Sequence, residues 1–100
     1  MKQNKLIRDK IPEIIESKKE SAKIHIAGDR EYSEKLAEKL QEEVSEFSAS
    51  KDSEELLDVL EVVYAIAKLN GIDEKTLNLK RKKKAEEKGK FDKRIILDES

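Results

Sequence analysis

The stretch Leu56–Leu69 (LLDVLEVVYAIAKL) is apolar almost all the way round a helical wheel, although 45% of the residues in this chain are charged. At about 100° per residue, its one polar stripe passes through Glu61 and Lys68. A helix with that distribution has to be covered on most sides, so it is expected at the centre of the fold, with amphipathic helices around it. The chain has 100 residues, an apolar fraction of 36%, and two Tyr and two Phe as its aromatics. That is thin material for covering such a helix, and a homodimer or higher homo-oligomer is expected to complete the core.

The flanking segments supply the covering elements. Tyr32, Leu36, Leu40, Val44 and Phe47 recur in steps of three and four, which predicts an amphipathic helix over Arg30–Ser48. A polar turn at 50–53 separates it from the central helix over Glu54–Leu69, where Ser53 or Asp52 can accept from the free N–H groups at the helix start. Asn70-Gly71 is a helix stop, and a basic helix is predicted from Asp73 or Glu74 to Lys88, closed by Gly89. Ile11, Ile14 and Ile15 follow Asp9 at helical spacing, with Pro12 suited to a first turn. Two short extended segments are expected, near 23–27 (KIHIA) and 91–97, the latter as a strand that covers the core. With one Pro, three Gly and no internal repeat, residues 1–100 read as a single all-α domain, a bundle of about four helices.

Composition narrows the function classes. Lys and Arg nearly cancel Asp and Glu, leaving a net charge of -1, so there is no global attraction to nucleic acid or to an anionic membrane. No apolar run approaches the roughly 20 residues of a membrane span, and Met1–Arg8 lacks a secretory hydrophobic stretch. The absence of cysteine suits a reducing compartment, so a cytoplasmic protein is expected. No Gly-rich phosphate loop is present, which sets P-loop chemistry aside.

The chemistry lies in the acids. On the wheel of the second helix, Glu43 falls inside the arc of Leu36, Leu40 and Phe47; Glu46 lies at its edge, while Glu34, Glu38 and Glu42 turn progressively to solvent. On the central helix Glu55 projects between Val62 and Ile66, and Asp58 near Ala65 and Leu69, away from the polar stripe. Acid pairs at i, i+3 are ordinary in so charged a chain; their inward direction sets these apart. A desolvated carboxylate has to be paired with a basic side chain, protonated or bound to a metal. Two antiparallel helices can aim Glu43/Glu46 and Glu55/Asp58 at one point, and such all-oxygen ligation suits Mg²⁺ or Mn²⁺.

Glu42-Glu43-x-x-Glu46 followed by Glu55-x-x-Asp58 resembles the E-E-x-x-E and E-x-x-D signature of the all-α nucleoside triphosphate pyrophosphohydrolases. These form the MazG-like superfamily, related to dimeric dUTPases and phosphoribosyl-ATP pyrophosphohydrolases. The segments Asn4–Pro12 (NKLIRDKIP) and Lys84–Leu97 (KAEEKGKFDKRIIL) extend the resemblance over nearly the whole chain, to a short phosphoribosyl-ATP pyrophosphohydrolase-like subgroup. The interval from Glu46 to Glu55 is shorter than the superfamily usually has, and Lys88-Gly89-Lys90 stands where an Arg-Gly-Gly-like turn is expected.

The resemblance implies Mg²⁺-dependent cleavage of a nucleotide between its α and β phosphates, with Glu43, Glu46, Glu55 and Asp58 as metal ligands. It implies phosphate contacts from Arg8, Lys10, Lys84, Lys88 and Arg94. Asn4 and Asp9 would orient that pocket, unless Asp9 caps the first helix. Glu42 reads as a solvated neighbour, His25 as a packed or exposed histidine, and Tyr32, Phe47, Tyr64 and Phe91 mainly as packing aromatics. A competing reading, without catalysis, is a helical module that binds nucleic acid or a partner through the basic segment 80–90.

Overall fold

The computed structural model describes residues 3–100, so the first two residues of the Met1–Arg8 stretch lie outside the described residues. Four helices follow in order: α1 (Ile11–Ser17), α2 (Asp29–Ser50), α3 (Glu54–Leu69) and α4 (Glu74–Lys88). Among the described residues there is no strand, and none of the helices is long and apolar enough to cross a membrane.

The helix ends follow from local chemistry. α2 closes on Lys51, which is left-handed at φ 59 and donates its N–H to the Phe47 carbonyl at 2.8 Å. In the turn, Asp52 rather than Ser53 serves α3, its Oδ1 accepting from the Glu54 N–H at 3.0 Å. A link this short returns the chain along α2, so α2 and α3 pack as an antiparallel hairpin. α3 ends in a Schellman arrangement: Gly71 at φ 81 donates to Lys68, and Ile72 donates to Ala67. α4 opens on Asp73, whose Oδ1 accepts from the Thr76 N–H at 2.8 Å. Lys51 holds a conformation that disfavours a side chain, so Lys51→Gly is expected to raise stability by about 0.5–1 kcal/mol, read from thermal unfolding.

The hairpin carries the core, and the core is small. Among the described residues, Leu36 on α2 and Val62 and Ala67 on α3 are the apolar residues that are buried. α4 covers part of α3, while Leu56, Leu57 and Leu60 at the start of α3 stay exposed. The radius of gyration is 17.4 Å, against about 13 Å for a compact domain of this length.

Of the two short segments expected to be extended, the core-covering strand at 91–97 fails, and 23–27 takes the unpaired form. Segment 23–27 is irregular, with Ile26 at 89% exposure, because no second segment pairs with it to form a ladder. Segment 91–97 makes a turn at Phe91 and then runs outward. Instead of covering the core, Phe91 is 96% exposed and Ile95, Ile96 and Leu97 are 77–80% exposed. Nor does Asp9 cap α1: the cap residue is Lys10, without a side-chain bond.

Candidate metal centre

α2 delivers Glu43 to the inner face of the hairpin, three residues after Leu40 and one turn below Lys39. Glu43 is only 6% exposed. Its Oε1 pairs with the Lys39 ammonium at 3.3 Å, while Oε2, equally cut off from solvent, has no hydrogen-bond partner among the described residues. A buried carboxylate with one oxygen unsatisfied is costly, because the lost hydration is replaced on one side only. Burial pushes the Glu43 carboxyl above its ordinary value of 4.5; Lys39 offsets part of that rise, and the charge of Glu46 adds to it.

α3 brings Glu55 and Asp58 to the same place, both half-buried, so that one oxygen each of Glu43, Glu55 and Asp58 lie within 4.8 Å of one another. A second group, Glu42, Glu43 and Glu46, meets the same limit and shares Glu43. The four predicted ligands are therefore joined through Glu43: three converge across the hairpin, and Glu46, exposed on α2, stands beside Glu42. The unpartnered oxygen, acids contributed by both helices and a purely oxygen donor set together fit a hard divalent cation.

The N-terminal arm closes one side. Leu6, Ile7, Arg8, Asp9 and Lys10 form one wall of a cleft of about 410 Å³. Tyr32, Leu36, Lys39 and Glu43 of α2 form the second wall, and Asp58, Glu61, Val62 and Ala65 of α3 the third. Arg8 Nη2 donates to Asp58 Oδ1 at 2.6 Å, and Lys5 pairs with Glu42 at 3.7 Å. The arm is thus held to the hairpin by ion pairs to two acids of the cluster.

Of the predicted phosphate contacts, Arg8 and Lys10 line this cleft. Lys84, Lys88 and Arg94 do not, since none of the lining residues comes from α4 or the segment after it. Asp9 lines the cleft and Asn4 does not. His25 is paired with Glu31 at 2.9 Å, away from the acids. Sequence reasoning missed Lys39 and placed Glu42 too far outward. Both were open to reading in the spacing, because Lys39 stands three and four residues before Glu42 and Glu43 and is paired with both, at 3.7 and 3.3 Å. No helical spacing could have paired Arg8 with Asp58, fifty residues apart.

Among known proteins, no family model, no curated protein and no solved structure matches this chain.

Proposed function

We propose that the chain is a cytoplasmic, Mg²⁺-dependent nucleotide pyrophosphohydrolase that converts a nucleoside triphosphate or related nucleotide to a monophosphate and pyrophosphate. One observation carries the reading: the buried Glu43 has an unpartnered oxygen, and Glu55 and Asp58 converge on it from the facing helix. Glu43, Glu55 and Asp58, joined by Glu46, would hold Mg²⁺, with Mn²⁺ as an alternative. When bound, such an ion neutralises phosphate charge and acidifies the attacking water.

The chain's own groups account for the rest. Arg8 and Lys10 on the arm, with Lys39 opposite, surround the acids with cations that can receive phosphate oxygens as a polyanion enters. Arg8 offers a forked guanidinium suited to two phosphate oxygens, and in the structure it is engaged by Asp58. Tyr32, Leu36, Val62 and Ala65 make the cleft's apolar floor, which limits water near the reacting group. A second copy of the chain is part of this reading, since the apolar start of α3 has no cover within one chain.

The test is a pyrophosphate-release screen of the purified chain across nucleoside triphosphates and phosphoribosyl-ATP, with and without Mg²⁺. Release that requires Mg²⁺ supports the reading, and release from none of them refutes it. Because Arg8 competes with a cation for Asp58, Arg8→Ala is expected to tighten Mn²⁺ binding by no more than about five-fold, the limit set by a half-exposed ion pair. The same variant is expected to weaken nucleotide binding, so titrations with the two ligands should move in opposite directions.

A further inference from the structure

Charged and apolar residues are not mixed along the cleft. Its α2 wall is built by Glu43, Lys39, Leu36 and Tyr32, which leave the helix within about 40° of the Glu43 direction. Along the axis, Lys39, Leu36 and Tyr32 stand about 6, 10.5 and 16.5 Å from Glu43. The α3 wall starts at Asp58, with Glu61, Val62 and Ala65 about 4.5, 6 and 10.5 Å further on. Because the two helices are antiparallel, both series run the same way. The acids and Lys39 therefore share one end, and Leu36, Tyr32, Val62 and Ala65 share the other.

That polarity gives a bound nucleotide one direction. Arg8, on Asp58, marks the acid end as the place for phosphates. Past Glu43 and Asp58 the hairpin closes at the 51–53 turn, with Glu46 and Glu55 on that side, whereas the α2 and α3 residues that line the cleft all lie on the other. A nucleotide with its α and β phosphates at the acids thus extends its ribose past Lys39 and Glu61 and its base towards Tyr32. The side chains waiting there offer apolar surface and one hydroxyl, so what they grip is the face of a base. Tyr32 is half-buried and fixed in the first turn of α2, its N–H donating to the Gly28 carbonyl at 2.9 Å. Leu6 and Ile7, half-buried on the arm, add apolar surface to the same cleft.

We infer that the nucleotide lies lengthwise along the hairpin with its base in the Tyr32–Leu36–Ala65 end, gripped by its faces; this rests on the pyrophosphohydrolase reading. The substrate class follows from the grip. Every base has a face, and stacking on an aromatic side chain tightens binding by about five- to 150-fold whatever the base. Purines, with the larger face, bind more tightly than pyrimidines. Adenine and guanine, alike in ring area and different at their edges, stay within about ten-fold of each other, because the large discriminations come from buried hydrogen bonds to an edge.

Calorimetric titration of the full chain in Mg²⁺ tests this, with the uncleavable α,β-methylene analogues of ATP, GTP and CTP beside inorganic tripolyphosphate, which has no base. The two purine analogues are expected to bind about ten-fold more tightly than tripolyphosphate, and the CTP analogue to fall between. Ala65→Phe fills the apolar end and Tyr32→Leu removes its ring while keeping an apolar side chain there. With helicity checked by circular dichroism, each should weaken the purine analogues by five-fold or more and leave tripolyphosphate where it was. Equal affinity of the parent for analogues and tripolyphosphate overturns the base end, as do variants that shift both ligands alike or a difference above ten-fold between the adenine and guanine analogues. In those cases tripolyphosphate still binds, so the phosphate end and the hydrolase reading survive. Binding of neither ligand sinks both.

Discussion

Glu43→Gln is expected to lower Mg²⁺-dependent pyrophosphate release on the order of 100-fold or more, and at the same time to raise the melting temperature of the metal-free chain. The two effects have one cause. Glu43 is buried with an oxygen that no group among the described residues satisfies, so its charge destabilises the fold that holds it. An amide of the same shape removes the charge, and with it a ligand that converges with Glu55 and Asp58. Asp58→Asn should reduce release similarly but with little change in stability, because Asp58 is partly solvated and already paired with Arg8.

The pH dependence follows from the same carboxyl. Its folded value is raised above the ordinary 4.5, so the folded chain holds a proton there that the unfolded chain releases. The associated stability is fully present below 4.5, falls as pH rises through the raised value, and is absent above it. Melting temperatures of the metal-free chain, taken from pH 4.5 upward, should carry this decline in the parent and lose it in Glu43→Gln. Equal slopes in the two proteins would remove Glu43 as the group responsible.

Leu36→Ala is expected to be the most damaging apolar truncation. Leu36 is 2% exposed and one of three buried apolar residues among those described, alongside Val62 and Ala67. Removing its branched end costs about 2–5 kcal/mol, a large part of the 5–15 kcal/mol that holds a natural domain together. A fall of at least about 8 °C in melting temperature, or loss of a cooperative transition, is the expected reading. Leu79→Ala provides the contrast: Leu79 is 58% exposed on α4, so its truncation should change little. A Leu36 variant that melts with the parent would show that the hairpin interior is not where the stability resides.

The helices were legible because their causes are local. Apolar spacing, the polar turn after Ser50 and the Asn70-Gly71 stop place α2, α3 and α4 within two residues of their observed bounds, and α3 without error. The inward direction of Glu43, Glu55 and Asp58 was legible for the same reason, since a wheel fixes where a side chain leaves its helix. Segment 91–97 was misread as a strand that covers the core. Alternating or apolar residues signal a strand only when a neighbouring strand completes the hydrogen bonding, and no local pattern reports whether one exists.

By itself, then, the sequence determined an all-helical chain with a central apolar helix and acids aimed inward from α2 and α3. Tertiary structure alone decided which acids meet, with Glu43 common to both groups and Glu46 to one side. It also decided that Arg8 reaches Asp58 and that Lys84, Lys88 and Arg94 stay outside their own chain's cleft. The physical reason is one of range. Helical periodicity sets direction over a few residues, whereas convergence depends on how the hairpin closes and where the N-terminal arm comes to rest.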